Sequence, residues 1–104
     1  MLDFLKKMFN SGPKTDYRTL VANGAQIVDV RTNAEYQSGH LKGSVNVPLQ
    51  TLSQNLSKIR KDKPVIVCCA SGMRSGSAKG VLTSNGYDEV YNGGSWNSLQ
   101  SQIM

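Results

Sequence analysis

The sequence predicts an α/β domain built on a central, mainly parallel β-sheet with helices on both faces. Three observations lead there. Short apolar runs rich in β-branched residues, Ala25 to Val30 and Val65 to Cys68, have the composition of fully buried strands. Between and after them, apolar residues recur at helical spacing, with capping and stop residues at the ends. Strand and helix alternate without internal repeats, the order that parallel pairing through crossovers requires.

Each element has its own local reason. In Met1 to Phe9, Leu2, Leu5 and Phe9 share one helical face, while Asp3, Lys6 and Lys7 lie off it. The segment is too short to span a bilayer and lacks the apolar stretch and cleavage pattern of a signal peptide. It is expected to pack on the domain or fray, with docking on a membrane surface or partner as the alternative. Asn10-Ser-Gly-Pro13 is turn-rich, which sets a segment 1–13 apart from a domain over 14–104. Asp16 is placed to cap a short helix carrying Leu20 and Val21, stopped by Asn23-Gly24. After the strand Ala25 to Val30, Thr32-Asn-Ala-Glu35 has the form of a capping box, and Gly39 closes the helix it opens. His40 to Ser44 turns the chain into a short strand, Val45 to Val47, ended by Pro48.

A second capping box, Thr51-Leu-Ser-Gln54, predicts a clearer helix. Leu52, Leu56 and Ile59 would form its buried stripe, and Lys58, Arg60 and Lys61 suit its C-terminal dipole. Pro64 opens the central strand, where its missing N–H falls before the ladder. Ala78, Val81 and Leu82 mark the helix that follows, with Asn85-Gly86 as its stop. Gly76 and Gly80 inside that helix predict close packing on the sheet. Glu89 to Tyr91 reads as the last strand, Asn92-Gly-Gly94 as a turn, and Trp96 to Ile103 as a terminal helix.

Composition narrows the function. An apolar fraction of 38% supports a single core. The net charge of +5 favours anionic partners, but there is no basic run and only one Trp, which argues against nucleic acid. Two adjacent cysteines make no disulfide framework, and reduced thiols suit a cytoplasmic setting. With one His, they are also too few for a closed metal site, so no metal is expected.

The chemistry concentrates in Pro64 to Ser77. A cysteine ends a buried strand where the chain turns through a compact loop into a helix, the place where open α/β sheets bind ligands. Backbone N–H groups and the helix dipole then favour an anion there. Arg74 adds a full charge, which at about 5 Å and an effective dielectric near 20 favours a thiolate by roughly 3 kcal/mol. A cysteine pKa of about 6 or 7 is the expected result.

Cys69-Ala-Ser-Gly-Met-Arg-Ser75 resembles the active loop of rhodanese-like sulfurtransferases, in which cysteine and arginine are separated by four residues. Asp29 to Tyr36, followed by Gly39 to Pro48, resembles the family's amino-terminal motif. Gly93-Gly-Ser-Trp96 resembles the turn and aromatic after its last strand. The resemblance covers roughly Thr15 to Leu99. It implies a rhodanese-like fold and a Cys69 persulfide that passes sulfane sulfur from a small anionic donor to a thiol or cyanide, with no cofactor. The donor would be thiosulfate, a polysulfide or a persulfide, and a protein could serve as the sulfur acceptor. Ala70, Ser71, Gly72, Met73, Arg74 and Ser75 would bind substrate, with Gly72 supplying a conformation closed to side chains.

Alternatives attach to the same residues. Strand alternation sends Cys68 and Cys69 to opposite sides, and Cys68 is expected to be an inert core residue. A Cys68 nucleophile would give the five-residue spacing of phosphatase and arsenate-reductase loops. A non-catalytic persulfide carrier or interaction module is the other competing class. His40 is expected in a structural turn role, and Asp29, Arg31 and Glu35 in ties beneath the loop, with Asp29 the exception to consider. Many sulfurtransferases carry a basic residue directly after the cysteine. Ala70 stands there instead, which predicts a preference for polysulfide or persulfide over thiosulfate.

Overall fold

The structure is a computed structural model that describes residues 15–104. The expected amphipathic segment with Leu2, Leu5 and Phe9, and the linker Asn10 to Pro13, lie outside the described residues. Four parallel strands form one sheet: β1 (Gln26–Asp29), β2 (Val45–Asn46), β3 (Val65–Cys69) and β4 (Val90–Ser95), in the order β2-β1-β3-β4. Among the described residues four α-helices accompany them: α1 (Tyr17–Ala22), α2 (Asn33–Gln37), α3 (Met73–Ser84) and α4 (Trp96–Ile103).

The sheet is covered on both faces, as its apolar strands require. On one side Val28, Val30, Val65, Val67 and Cys69 pack with Ala78 and Leu82 of α3 and with Leu52, Ile59 and Tyr87. On the other, Ile27, Ile66 and Cys68 pack with Leu99 of α4, and Tyr17 and Leu20 of α1 close over them. All five residues of β3 are buried. Each fully buried Leu or Ile in these layers contributes on the order of 1.5–3 kcal/mol.

Local signals hold where a side chain completes the hydrogen bonding. Asp16 caps α1 by accepting from the Thr19 N–H at 3.0 Å. Thr32 and Glu35 form the full capping box of α2. Ser95 caps α4 through the Ser98 N–H at 3.2 Å.

Three expectations are corrected. No α-helix starts at Thr51; the chain forms 3-10 turns over Leu49–Gln54 and Leu56–Lys58, without a side-chain cap. This stretch is dense in Thr, Ser and Asn, whose side chains bond the local backbone instead, as Asn55 does to the Thr51 carbonyl at 2.8 Å. Leu52 and Ile59 are still buried and Leu56 still packs on the core, so the apolar stripe survives without the helix.

The second correction concerns Asn92-Gly-Gly94, which is strand rather than turn. β4 runs through it with a bulge: Val67 pairs with Asn92, and Cys69 with Ser95, so three steps on β4 match two on β3. Gly93 is required there, because a Cβ would sit 2.9 Å from Ile66 Cγ2 and 3.1 Å from the Val67 carbonyl. Thirdly, Gly80 is exposed, and a Cβ added to it would meet nothing within 4 Å, so it does not mark close packing. At Gly76, by contrast, a Cβ would meet the Asn92 side chain at 3.4 Å.

Candidate active site

Cys69 and Asp29 end β3 and β1, the two central strands, on the same edge of the sheet. The chain leaves Cys69 through Ala70, Ser71 and Gly72 and enters α3 at Met73. Gly72 is the cap of this helix, with φ at +100°, and a Cβ there would also lie 3.5 Å from the Gly94 Cα. The turn this permits folds the first N–H groups of the helix back onto the sulfur. Cys69 Sγ accepts from the Gly72 N–H at 2.9 Å and from the Ser75 N–H at 3.3 Å, and lies 3.4 Å from Ser75 Oγ.

These contacts decide the ionisation of Cys69. Burial works to raise the thiol, but the hydrogen bonds of the Ser75 side chain and of the Ser75, Ser71 and Gly72 N–H groups outweigh it. The pKa falls below its ordinary 9.0. Cys68 has the opposite environment. Burial, with the Asp29 carboxylate nearby, pushes it up to about 12. The two cysteines occupy the two separate cores on either side of the sheet, as alternation requires. Both thiols are free, and both are fully buried. Contact between Cys69 and a donor therefore requires the loop to give way locally.

Arg74 stands at the start of α3 with its charge paired. Its guanidinium is held by Glu35 in a two-point pair, Nη1 to Oε1 at 2.6 Å and Nη2 to Oε2 at 3.0 Å. The same carboxylate accepts from the Thr32 N–H. Arg74 first and Thr32 second hold the Glu35 carboxyl well down, at about 2. The thiolate is thus favoured mainly by neutral N–H and O–H groups, and Arg74 chiefly ties α3 to α2.

The other expected residues fall into place around this. Ala70 and Ser71 are exposed, and Met73 is 82% exposed, so all three face outward from the loop. Asp29 is fully buried and bound by Arg31, whose Nη2 lies 2.7 Å from Oδ2 and 2.7 Å from the Gly39 carbonyl. Arg31 also stacks 5.0 Å from the Trp96 ring. Asp29 is therefore architectural. His40 stacks on Tyr36 at 3.7 Å, consistent with a turn role. Among the described residues no cluster of His, Cys, Asp or Glu is arranged to hold a metal ion. One participant escapes the sequence. Asn92 accepts from Ser75 Oγ at 2.6 Å and donates to the Gly72 carbonyl at 3.2 Å, and an Asn-Gly-Gly stretch gives no sign of this.

A family model described as a rhodanese-like domain matches residues 6–102. The chain belongs to the rhodanese-like family. It is 34% identical over 83 residues to a protein named thiosulfate sulfurtransferase GlpE from Pseudomonas savastanoi, covering 80% of this chain and 78% of that one. It is 46% identical over 68 residues to the uncharacterized protein YqhL of Bacillus subtilis, covering 65% of this chain but only 54% of the relative. Among solved structures, a "rhodanese with anions from E. coli" superposes with a TM-score of 0.68 at 32% identity, covering 72% of this chain and 91% of that chain. The rhodanese-like fold is thus shared with a solved protein nearly over that protein's whole length. A relative from Escherichia coli, 38% identical over 69 residues, is likewise named a thiosulfate sulfurtransferase.

Proposed function

We propose that this rhodanese-like domain is a sulfurtransferase whose carrier is Cys69. The observation that supports it most directly is the ring of donors on Cys69 Sγ from Gly72 and Ser75, which favours the thiolate at the end of the central strand. The thiolate attacks the outer sulfur of a donor. A bond forms between Sγ and that sulfur, the donor's S–S bond breaks, and its electron pair leaves on sulfite or on a thiolate. The Cys69 persulfide then gives its terminal sulfur to an acceptor thiol or cyanide, and Cys69 leaves as thiolate again. This is a two-step covalent scheme that needs no cofactor. Gly72, Arg74 and Ser75 shape the loop, while Ala70, Ser71 and Met73 line its outer side toward the substrate.

The electrostatics favour a polysulfide or persulfide as donor. Thiosulfate brings two negative charges and leaves as sulfite, yet Ala70 is neutral, Met73 is apolar, and the Arg74 charge is already engaged by Glu35. The test is mass spectrometry after incubation with thiosulfate or polysulfide. A gain of one sulfur mapped to Cys69, absent from Cys69→Ser and kept in Cys68→Ser, is expected. Sulfur found on Cys68, or none on either cysteine with any donor, would reject the scheme.

A further inference from the structure

The hydrogen bonds around Ser75 carry more than support for the loop. Asn92 Oδ1 accepts from the Gly94 N–H at 3.0 Å, and a backbone N–H can only donate. This fixes the orientation of the amide, with Nδ2 toward the Gly72 carbonyl. Ser75 Oγ, 2.6 Å from Oδ1, must then donate its single proton to Asn92 whenever that bond is made. In this arrangement Ser75 offers Cys69 only a lone pair, which suits a neutral thiol donating to it. A thiolate needs the reverse, the Ser75 proton turned toward sulfur. The Gly72 carbonyl, 3.1 Å from Ser75 Oγ, is the third claimant, but it already accepts from the Gly76 N–H and from Asn92 Nδ2.

We propose that Asn92 is a positioning residue that competes with the Cys69 sulfur for the Ser75 proton. In the thiol, the proton rests on the Ser75–Asn92 bond. On ionisation the Cys69 proton goes to solvent, and the Ser75 hydroxyl rotates to donate to Sγ. Once Sγ is bonded to a transferred sulfur and uncharged, the hydroxyl returns to Asn92. Asn92 thereby holds the thiolate short of its full stabilisation and keeps the sulfur the stronger nucleophile. The role rests on Cys69 being the reactive thiol, but it concerns ionisation and not transfer.

The charged groups that face Cys69 are already compensated. From α3 and α2 they are Arg74 and Glu35, bound to each other, while Asp29 of β1, paired with Arg31, lies on the Cys68 side of the sheet. Cys68 on β3 points to the opposite core and stays protonated. None of these is hydrogen-bonded to Asn92, so a change at Asn92 reaches the sulfur through Ser75 or through Gly72, and the Ser75→Ala background separates the two routes.

The experiment measures the pH dependence of Cys69 alkylation by iodoacetamide, mapped by mass spectrometry, in the full chain. It follows ionisation alone, so it gives an answer even if no sulfur donor is accepted. Asn92→Ala is expected to lower the Cys69 pKa by about half a pH unit, since a hydrogen bond to a charged group is strengthened when its rival is removed. Ser75→Ala is expected to raise it, and Asn92→Ala added to Ser75→Ala is expected to change nothing further. If Asn92 only braced the loop, its loss would loosen the N–H groups and raise the pKa, with or without Ser75. An upward shift in Asn92→Ala, or a shift of equal size in the Ser75→Ala background, overturns the proposal.

Discussion

Alkylation should discriminate between two neighbouring cysteines by on the order of a thousandfold. The perturbation is a small electrophile, iodoacetamide, added to the native protein at pH 8. Cys68, raised to about 12, has roughly one thiol in 10,000 ionised at that pH. Cys69, below 9.0, has roughly a tenth or more ionised. The thiolate is the reacting form, so the ratio of these fractions sets the minimum selectivity. Both side chains are buried, and the difference therefore comes from ionisation and from position, Cys69 at the loop and Cys68 under α4. Digestion and mass mapping over a time course, from pH 6 to 10.5, gives both rates in one sample. The Cys69 rate should rise with pH through a midpoint below 9.0, while Cys68 stays unmodified until the protein is denatured. Comparable rates at the two positions in native protein, or a Cys69 midpoint at or above 9.0, would refute the electrostatic reasoning.

Three other outcomes are expected. Ala70→Arg should raise thiosulfate turnover by about tenfold or more and leave polysulfide turnover nearly unchanged, because a new cation of about 1–3 kcal/mol helps only the dianion; steady-state assays with both donors at equal ionic strength decide it. Gly93→Ala should destabilise by about 1–3 kcal/mol, because the methyl meets Ile66, Leu99 and a backbone carbonyl, whereas Gly80→Ala on the open face of α3 should stabilise by about 0.5–1 kcal/mol; denaturant midpoints give both signs. The Glu35 pKa is depressed to about 2, so its contribution to stability is full above its usual 4.5 and is lost as pH falls through about 2. Acid titration of Glu35→Gln should accordingly lack a component of the transition below pH 4.5 that the wild-type protein shows.

Much of this was legible because local chemistry and tertiary structure agree. The strand at Val65, the Thr32–Glu35 box and the glycine at Gly72 each follow from residue type and spacing, and the structure meets each demand with a named hydrogen bond or dihedral angle. The opposite fates of Cys68 and Cys69 follow from strand alternation alone. The differences have two origins: contacts distant in sequence that override local preference, and side chains that bond the backbone beside them. Asn92-Gly-Gly94 has turn composition, but pairing with β3 extends it into a bulged strand. Thr51 and Gln54 have capping-box spacing, yet the polar side chains around them bond the backbone locally and leave 3-10 turns. The direction of the Arg74 side chain depended on Glu35, 39 residues earlier, and spacing within the loop carries no trace of that partner.

The pairing of β3 on both sides has a consequence for how the chain tolerates change. Its neighbours β1 and β4 hold it in parallel register, Asp29 opposite Cys68 and Ser95 opposite Cys69. A residue inserted before Cys68 would carry that thiol to the mouth of the loop and push Cys69 past the end of the strand, whereas a residue deleted there would put Ala70 at the mouth and turn Cys69 under α4. In either case the chain would keep both cysteines and lose the loop geometry around Cys69. Length changes in this domain are therefore expected to accumulate in the 3-10 stretch from Leu49 to Lys58 and in the α3–β4 connection, and to be absent from β3.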